Sequence, residues 1–572
     1  MKQSGGVWIA DQKDQSSIIE QLREACGLPP CKIDDELVGD FLAFGYWYLQ
    51  IELLTRQMRY TSNLDQDAID ENTLAAANAA NNGDASRARE LLQRGFTRLA
   101  EERDHYYPVD AYCLDLTLVS ERTKLVSLER EWHEDAATNL WITGQSLEAQ
   151  VERNPELVES VRQRIQTDSA SVGVVGGEFR ESPLALETRE SIRRQFERGR
   201  NVFASAFGIR PTVFFRRRFG LSPSLPAMLK AEGYVGAVHA TLDAGWFPEC
   251  SQARTQWMAE MGSHMEAIGC IPLDATKPET FLKLSLHMGQ SMEMDYVATI
   301  CLAHWAGTAS HWYDAMRRGI KFGLQMGKQT TFDEYFENTT FTSAQDTFVL
   351  DQYRSPYLNQ AVAANETDPI SKHSRRRRTL WQLAAAQRFV AWQTALDRES
   401  SNELLLLRNS IQAMTDQLDL GVADDESTES EVFDLYQKAA SSLADRLTQR
   451  QNADQERAAQ GTLALNPGTA VRRSDLIDVG ANPELVTRKD FVYAAGKAND
   501  CSATIVDLPM SGFAWLPESS GTASHVPGDS SFPTIRATTR TRSSASRRSL
   551  LNNRWLFRLR TQSPFESPTL DW

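Results

Sequence analysis

The chain has 572 residues, of which 41% are hydrophobic and 24% are charged, as in an ordinary globular protein of roughly three to four domains. Its formal net charge is −15, which argues against nucleic acid or an anionic membrane surface as a general partner. The 7 cysteines are scattered, without a Cys-x-x-Cys pair, and indicate reduced thiols. Since we find no secretory signal and no run of about 18 apolar residues, we predict a cytoplasmic protein.

Residues 1–104 are predicted to form a helical segment without catalytic chemistry. Its first clear helix begins after Asp34 and is apolar nearly all round up to Ile51, so we expect it to be buried. Two further helices are predicted around 66–82 and 85–104. This segment should pack on a larger body that follows it in the chain.

Residues 105–345 alternate short apolar runs with longer amphipathic segments, which predicts an α/β fold with a seven-stranded (β/α) barrel or a doubly wound sheet. Between two of the predicted strands, residues 244–267 are expected to be partly loop. The predicted strands are Ala111–Val119, Leu140–Thr143, Val172–Val175, Thr212–Phe215, Gly236–Ala240, Ile268–Leu273 and Ala298–Ala303.

The clearest unit of this region runs from Ser171 to Pro226. A short apolar strand stops at Gly176-Gly177, an amphipathic helix follows from Glu187 to Phe207, and a second strand reaches Phe215. This order predicts one parallel strand–helix–strand unit. Chemistry in parallel sheets collects at the carboxyl ends of the strands, where Glu178, Arg216 and Arg217 stand in this unit.

The other predicted strand ends add more polar side chains to the same rim, and such a ring with an indole is typical of a sugar-sized site. Two interpretations of His239 and His304 remain open. Each is either a contact to the ligand or a core histidine whose hydrogen bonds are made within the protein. We expect Glu178, Arg217, Asp243, Asp274 and His304 to line one polar cleft, the sole sizeable one of the chain. The complete ring comprises Ser120, Glu121, Gln145, Glu178, Arg217, His239, Asp243, Asp274, His304 and Trp305.

Residues 346–455 are predicted to form a helical middle domain. The run Arg375–Arg378 has the composition of a nucleic-acid or targeting motif, but in a chain of net charge −15 we interpret it as a solvated helix turn. Within the same region, Leu404–Leu407 is wholly apolar and is expected to be buried.

Residues 456–520 show strand patterns again and are predicted to begin a β-sandwich. From 521 to 572 the chain is basic, rich in Ser, Thr and Pro, and without helical or strand period, so we predict a disordered tail that contributes nothing to folding. The abrupt change of character leads to the hypothesis that this tail arises from a reading-frame change.

Five short motifs stand in these parts: Leu140-Trp-Ile-Thr-Gly, Val174-Val-Gly-Gly-Glu-Phe, Phe207-Gly-Ile-Arg-Pro211-Thr-Val-Phe, Phe219-Gly220 and Leu463-Ala-Leu-Asn-Pro467. These motifs and the order of the parts resemble glycoside hydrolase family 38, the α-mannosidases, where the last four correspond to "IVGGGW", "FGVRPRVAW", the end of "DPFG", and "LVLNP". The resemblance implies a (β/α)₇ barrel, a helical middle and a β-sandwich, with saccharides as ligands.

The departures from the family fall on its chemistry. The Asp of "DPFG" is the family's nucleophile and a zinc ligand, and Arg217 stands in its place. An arginine can neither attack an anomeric carbon nor bind zinc at working pH. The family's "HxHxD" zinc motif is also absent, with Cys113 and Asp115 in its last His and Asp places if the first predicted strand is its counterpart. We therefore expect no metal ligands and no cofactor, although the family uses zinc.

Two hypotheses follow. In the first, the protein hydrolyses glycosides by altered, zinc-independent chemistry, with a pair of carboxylates from Glu178, Asp243 and Asp274. Arg217 would then bind an anionic group of a saccharide, alongside Gln145, His304 and Trp305. In the second, the protein is an inactive descendant that binds saccharides or scaffolds a complex. Carboxylates held in ion pairs with Arg216, Arg217 or Arg218 would favour the second hypothesis. The sequence leaves the oligomeric state open.

Overall fold

The computed structural model divides into two compact units, residues 1–374 and 375–572. Among the described residues, no helix is long and apolar enough to cross a membrane. The predicted tail at 521–572 lies outside the described residues. These are 34–59, 61–106, 110–132, 136–168, 170–184, 187–259, 262–339, 344–396, 401–421, 426–454, 461–468, 472–480, 492–498, 501–508 and 511–517.

Three helices open the described part of the chain, as predicted: α1 (Asp35–Gln57), α2 (Gln66–Asn81) and α3 (Ala85–Tyr106). The Asp34 carboxylate accepts a hydrogen bond from the backbone N–H of Glu36 and caps α1. Trp47 of α1 is almost fully buried in a core that these helices share with the sheet region. The predicted buried helix is therefore confirmed.

The α/β region of the first unit follows. Its strands are β1 (Ala111–Leu118), β2 (Thr138–Ile142), β3 (Val172–Gly176), β4 (Val213–Phe214), β5 (Gly236–Val238), β6 (Arg254–Met258), β7 (His264–Ile268), β8 (Leu273–Asp274), β9 (Ala298–Trp305), β10 (Lys328–Gln329) and β11 (Gln345–Thr347). Its helices are α4 (Leu125–Glu129), α5 (Gly144–Arg153), α6 (Pro155–Thr167), α7 (Arg189–Phe207), α8 (Leu225–Ala231), α9 (Pro278–Leu282), α10 (Leu284–Met294), α11 (His311–Lys321), α12 (Phe332–Asn338) and α13 (Tyr357–Ala363).

These strands pair into two sheets. The first has the order β3-β2-β1-β9-β8, with β10 also paired to β1, and all of its pairs are parallel. The second has the order β11-β6-β7-β5-β4, where β6 and β7 form an antiparallel pair. The sheets are linked where the indole N–H of Trp141 on β2 donates to the carbonyl of Phe215, 3.2 Å away. The parallel α/β core is thus present, whereas a seven-stranded barrel is not confirmed.

One stretch departs clearly from the prediction. The expected strand Ile268–Leu273 does not exist, because Ile268 ends β7 in the second sheet and Leu273 begins β8 in the first. The preceding stretch, predicted to be partly loop, contains both strands of the β6–β7 hairpin. Its polar residues Arg254 and Glu266 obscure the strand pattern in the sequence, and their side chains form an ion pair at 3.2 Å.

Helix α7 packs closely against the backbone that follows β3, and the contact is made at Gly199 of the helix. A Cβ added to Gly199 would lie 2.2 Å from the carbonyl oxygen of Gly177 and 2.5 Å from the backbone of Glu178 and Phe179. Because backbone atoms cannot swing aside as a side chain can, the helix itself would have to move. The glycine thereby fixes the distance between α7 and the end of β3.

We expect Gly199→Ala to destabilise the protein by about 1–3 kcal/mol, the usual cost of overpacking. Calorimetric unfolding of the full chain measures it. Gly45→Ala on α1 is the matched control, since nothing lies within 4 Å of its added Cβ. There we expect a gain of up to about 1 kcal/mol from helix propensity. Equal effects at the two positions would contradict the close approach of α7.

The second unit begins within α14 (Pro369–Leu396) and continues through α15 (Asn402–Leu420) and α16 (Glu426–Asp454). Its strands are β12 (Gly461–Asn466), β13 (Arg472–Gly480), β14 (Val492–Ala498), β15 (Cys501–Leu508) and β16 (Gly512–Pro517), which form one antiparallel pair and one three-stranded antiparallel sheet. The predicted division at 345/346 and 455/456 stays a prediction.

Two sequence interpretations in the second unit have different outcomes. Arg375 and Arg378 of the arginine run form ion pairs with Glu426 and Glu429 at 3.6 and 3.0 Å, whereas Arg376 is buried, so the run is a solvated helix turn only in part. The expected burial of Leu404–Leu407 is wrong, because Leu404 is buried while Leu405 and Leu406 are exposed. Four consecutive helical residues point around the whole circumference, so one apolar side cannot bury all four.

Candidate functional site

The centre of the site is a buried ion pair at the ends of β3 and β4. Glu178 follows Gly176 and Gly177, whose left-handed φ values of 110° and 98° turn the chain sharply. The guanidinium of Arg216 lies 3.3 Å from Glu178 Oε1, and both side chains are almost completely buried. It also donates hydrogen bonds to the carbonyls of Ser182 and Arg218, at 2.7 and 2.9 Å. The pair thus joins the loops behind the two strands.

Burial dominates the titration of Glu178. It raises the pKa of this carboxyl to about 7, against the lowering effect of the Arg216 guanidinium. The second oxygen, Oε2, has no hydrogen-bond partner among the described residues. Glu178 is therefore able to hold or release a proton near neutral pH.

Arg217 has a different environment from its neighbour. Its Nε lies 3.6 Å from Glu181 Oε2, and its guanidinium lies over the ring of Trp305 at 5.6 Å. The Arg217 side chain is 32% exposed, and Trp305 is 36% exposed. Within the described part of the chain, Arg217 Nε has no hydrogen-bond partner. A cation and an indole therefore reach the surface together at this rim.

Asp243 lies in the same region, but its carboxylate accepts hydrogen bonds from backbone N–H groups. Its Oδ2 accepts a hydrogen bond from the N–H of Phe219 at 2.8 Å, and its Oδ1 accepts one from Gly245 at 3.3 Å. The adjacent N–H of Leu242 donates to the carbonyl of Arg217 at 2.8 Å, which places this loop beside the Arg217 rim. We assign Asp243 a role in shaping the loop.

A second buried polar cluster lies on β1 and β9. The carboxylate of Asp115 accepts a hydrogen bond from the Tyr313 hydroxyl at 2.8 Å, and it lies 3.3 Å from His304 Nε2 and 3.6 Å from Arg317. Despite burial, these neighbours lower the pKa of Asp115, and the two flanking carboxylates Asp115 and Glu131 raise the pKa of His304. The His304 side chain is fully buried, so its interpretation as an internally satisfied histidine is supported.

His239 is also a core histidine. Its Nε2 lies 3.0 Å from the hydroxyl of Tyr353, which accepts a hydrogen bond from the indole of Trp257. Burial among aromatic rings lowers the pKa of His239 to about 3, so this imidazole is neutral at physiological pH.

The remaining predicted residues lie outside the buried ion pair of Glu178. Asp274 is exposed, and its carboxylate binds Thr276 and Lys277 in its own turn. Gln145 is exposed at the start of α5 and lies beside the loop that follows β3, because its backbone N–H donates to the carbonyl of Phe179. Of the three predicted carboxylates, only Glu178 is in the buried centre.

A cleft of about 390 Å³ lies at the opposite end of β1 from this rim. It is bordered by Arg103, Asp110, Tyr112, Met326 and Lys328, among others. The expectation that the carboxyl rim holds the sole sizeable polar cleft is therefore wrong. This cleft forms where α1, α3 and α10 meet the amino ends of β1 and β10, a junction that the strand pattern does not reveal.

The zinc centre of the resembling family does not fit the residues at its expected places. Asp115 is already surrounded by a hydroxyl, an imidazole and a guanidinium, and burial raises the pKa of the Cys113 thiol to about 12. Arg217 supplies a further positive charge at the nucleophile's place. Among the described residues, no group of three or more His, Cys, Asp or Glu side chains is arranged to hold a metal ion.

The fold and the rim describe an α/β protein with a polar, indole-bearing end of a parallel sheet. Residues 132–355 match the family described as glycosyl hydrolases family 38, N-terminal domain. This match confirms the family resemblance for that part of the chain, including Glu178, Arg217 and Trp305. No curated protein matches the chain.

The solved structures that match this chain share little sequence with it. An alpha-mannosidase from Enterococcus faecalis V583 is 11% identical, with 73% of this chain and 57% of that chain covered and a TM-score of 0.41. A family 38 protein from Enterococcus faecalis covers 73% of this chain and 55% of that chain at 11% identity, with a TM-score of 0.38. A 4-alpha-glucanotransferase from Thermococcus litoralis is 12% identical, with 62% and 60% covered and a TM-score of 0.34. The chain spans less than two thirds of the length of each.

Sequence reasoning missed several residues that shape the site. Glu181, the ion-pair partner of Arg217, lies only three residues beyond Glu178 in the loop after the Gly-Gly turn. Arg317 is a buried charged residue of the amphipathic helix α11, one turn after the buried Tyr313. That i, i+4 spacing places both on one helix side, a signal that could have marked a shared buried partner.

Proposed function

We propose that this protein binds saccharides at the rim formed by Arg217 and Trp305, as a family 38-type protein without the family's zinc-dependent hydrolysis. One observation carries the proposal. Glu178, at the end of β3, is held in a buried ion pair with Arg216, while Arg217, which stands in the place of the family's nucleophile, reaches solvent beside an indole. Arg216 is thus paired within the protein, and Arg217 is presented to a ligand.

The ligand is a saccharide that carries an anionic group, such as a uronate or a sulfate. A guanidinium binds such a group through two parallel, charge-assisted hydrogen bonds. Arg217 is suited to this because its protein partner Glu181 lies at 3.6 Å, beyond hydrogen-bond distance, and because the Trp305 ring can cover an apolar sugar surface. We place the protein in the cytoplasm on the sequence alone.

Arg217→Ala should lower the affinity for an anionic saccharide by about 10- to 100-fold, the loss of one charge-assisted contact. The stability should change by less than about 1 kcal/mol, because Arg217 is partly exposed and its ion pair is long. Isothermal titration with oligomannuronates, beside calorimetric unfolding, measures both quantities. Arg218→Ala is the control, since that exposed side chain lies one residue away.

Equal binding by wild type and Arg217→Ala would remove Arg217 from the ligand site. Tight binding of neutral manno-oligosaccharides but not of oligomannuronates would keep a saccharide-binding protein and exclude the anionic ligand. If neither series binds, the proposal itself is wrong.

A glycosidase is the second candidate function, and the titration of Glu178 favours it. A carboxyl with a pKa of about 7 can serve as the general acid that protonates a leaving oxygen. It would need a second carboxylate across the bond, for which Glu181 is the nearby candidate. A screen of aryl glycosides and aryl uronides with added and chelated zinc tests this function. Turnover that disappears in Glu178→Gln but survives chelation would replace the binding proposal with an enzyme.

A further inference from the structure

We propose that Trp246 forms a second saccharide-stacking position, so that the ligand is an oligosaccharide extending from the Arg217 rim. The inference rests on the proposed saccharide function and adds the length of the ligand. Trp246 is 53% exposed, an unusual state for the largest side chain. An indole held in place with one open face can stack on the apolar side of a sugar ring.

The indole is backed by a specific partner. The guanidinium of Arg354 lies over its ring at 4.8 Å, a cation–π contact that occupies one face. The two residues also form an isolated antiparallel bridge, with hydrogen bonds of 3.0 Å from Trp246 N to Arg354 O and 2.7 Å in return. Both the backbone and one face of the ring are therefore fixed, which lowers the entropy lost when a ligand stacks on the other face.

The loop that presents Trp246 is built with a strained residue. Ala244 has a φ of 62°, a conformation uncommon for a residue other than glycine. Next to it, a Cβ on Gly245 would lie 2.2 Å from the Phe219 ring, so the backbone must pass this ring closely. The amide of Gln360 donates to the carbonyl of Asp243 at 3.2 Å and so adds a contact between α13 and this loop. These contacts together direct the next residue, Trp246, outward.

Trp246 also lies close to the proposed ligand site. The N–H of Leu242 is bonded to the carbonyl of Arg217, and Trp246 follows Leu242 by four residues. Even a fully extended chain separates these two Cα atoms by no more than about 14 Å. A saccharide of a few units that is bound at Arg217 and Trp305 can therefore reach Trp246.

The experiment compares mannuronate with oligomannuronates of two to four units, titrated into the wild-type full chain and into Trp246→Ala. We expect wild-type affinity to increase with ligand length. In Trp246→Ala, the affinity for the longer ligands should fall by about 3- to 10-fold, the loss of one aromatic contact, while mannuronate binds as before. Trp381→Ala removes another exposed indole, 46% exposed on α14, and should alter none of these affinities.

The outcomes separate this inference from the function on which it rests. If Arg217→Ala weakens every ligand while Trp246→Ala weakens none, the saccharide function stands and the stacking position is wrong. If Trp246→Ala weakens mannuronate as much as the tetramer, Trp246 belongs to the first sugar position and the inference is again wrong. If the wild type binds no ligand in the series, both fail together.

Discussion

Arg216→Met should destabilise the first unit by about 3–5 kcal/mol above neutral pH, because it leaves a buried carboxylate without its charge partner. Arg216 is fully buried and makes three interactions: the ion pair with Glu178, and hydrogen bonds to the carbonyls of Ser182 and Arg218. Methionine fills part of the volume but replaces none of these interactions. Calorimetric unfolding of the full chain measures the loss.

The loss should depend on pH in a defined direction. Burial raises the pKa of Glu178 from its ordinary value near 4.5 to about 7 in the folded protein. Such a carboxyl contributes stability below its unfolded pKa, and that stability is lost as the pH rises through the folded value. Without Arg216 the folded pKa of Glu178 must rise further, so the variant keeps losing stability above pH 7. The difference from wild type should therefore be smallest near pH 5 and should grow towards pH 8.

Two further variants isolate the charge. Glu178→Gln combined with Arg216→Met, measured against Glu178→Gln alone, should show a destabilisation that is independent of pH between 5 and 8, because residue 178 titrates in neither protein. Arg218→Met changes an exposed arginine two residues away and should alter stability by no more than about 0.5 kcal/mol. A pH-independent loss in Arg216→Met alone would show that the ion pair is unimportant and that packing explains the effect.

The sequence predicted the parts of the fold that depend on local patterns. The strand before Glu178, helix α7 and the strand before Arg216 were all found where apolar periodicity and the Gly-Gly and Gly208 stops placed them. The rule that polar residues collect at the carboxyl ends of parallel strands then gave Glu178, Arg217 and Trp305. These predictions needed no knowledge of which elements are in contact.

The pairings across the fold could not be predicted in this way. Nothing in the spacing of Glu178, Asp243 and Asp274 distinguishes them, yet one is buried against Arg216, one binds backbone N–H groups and one lies in an exposed turn. These roles depend on which loops meet in space. Likewise, Arg216 and Arg217 look alike in the sequence, and the geometry at the end of β4 alone turns one inward and the other to the surface.

The buried cluster around Asp115 leads to the other large effect. Arg317→Met should cost about 3–5 kcal/mol, because it removes a fully buried cation that serves several partners. The guanidinium lies 3.6 Å from Asp115 and donates to the carbonyl of Ala136 at 2.8 Å and to the Thr138 hydroxyl at 3.1 Å. These contacts connect α11 to the start of β2 and to β1, so their loss should loosen the sheet from its outer helix.

The dependence of the free energy of unfolding on pH, on the acid side, identifies the charge contribution of Arg317. In the wild type, His304 and Arg317 help to lower the pKa of Asp115. A carboxylate of that kind contributes stability above its unfolded pKa, near 3.8, which is lost as the pH falls through the lower folded value. Removing Arg317 raises the folded pKa, so the variant should have less of this stability at neutral pH and a weaker acid dependence. Lys321→Met, on the same helix and exposed, should cost no more than about 1 kcal/mol. An Arg317→Met protein that unfolds like the Lys321→Met control at every pH would show that Asp115 is held by His304 and Tyr313 alone.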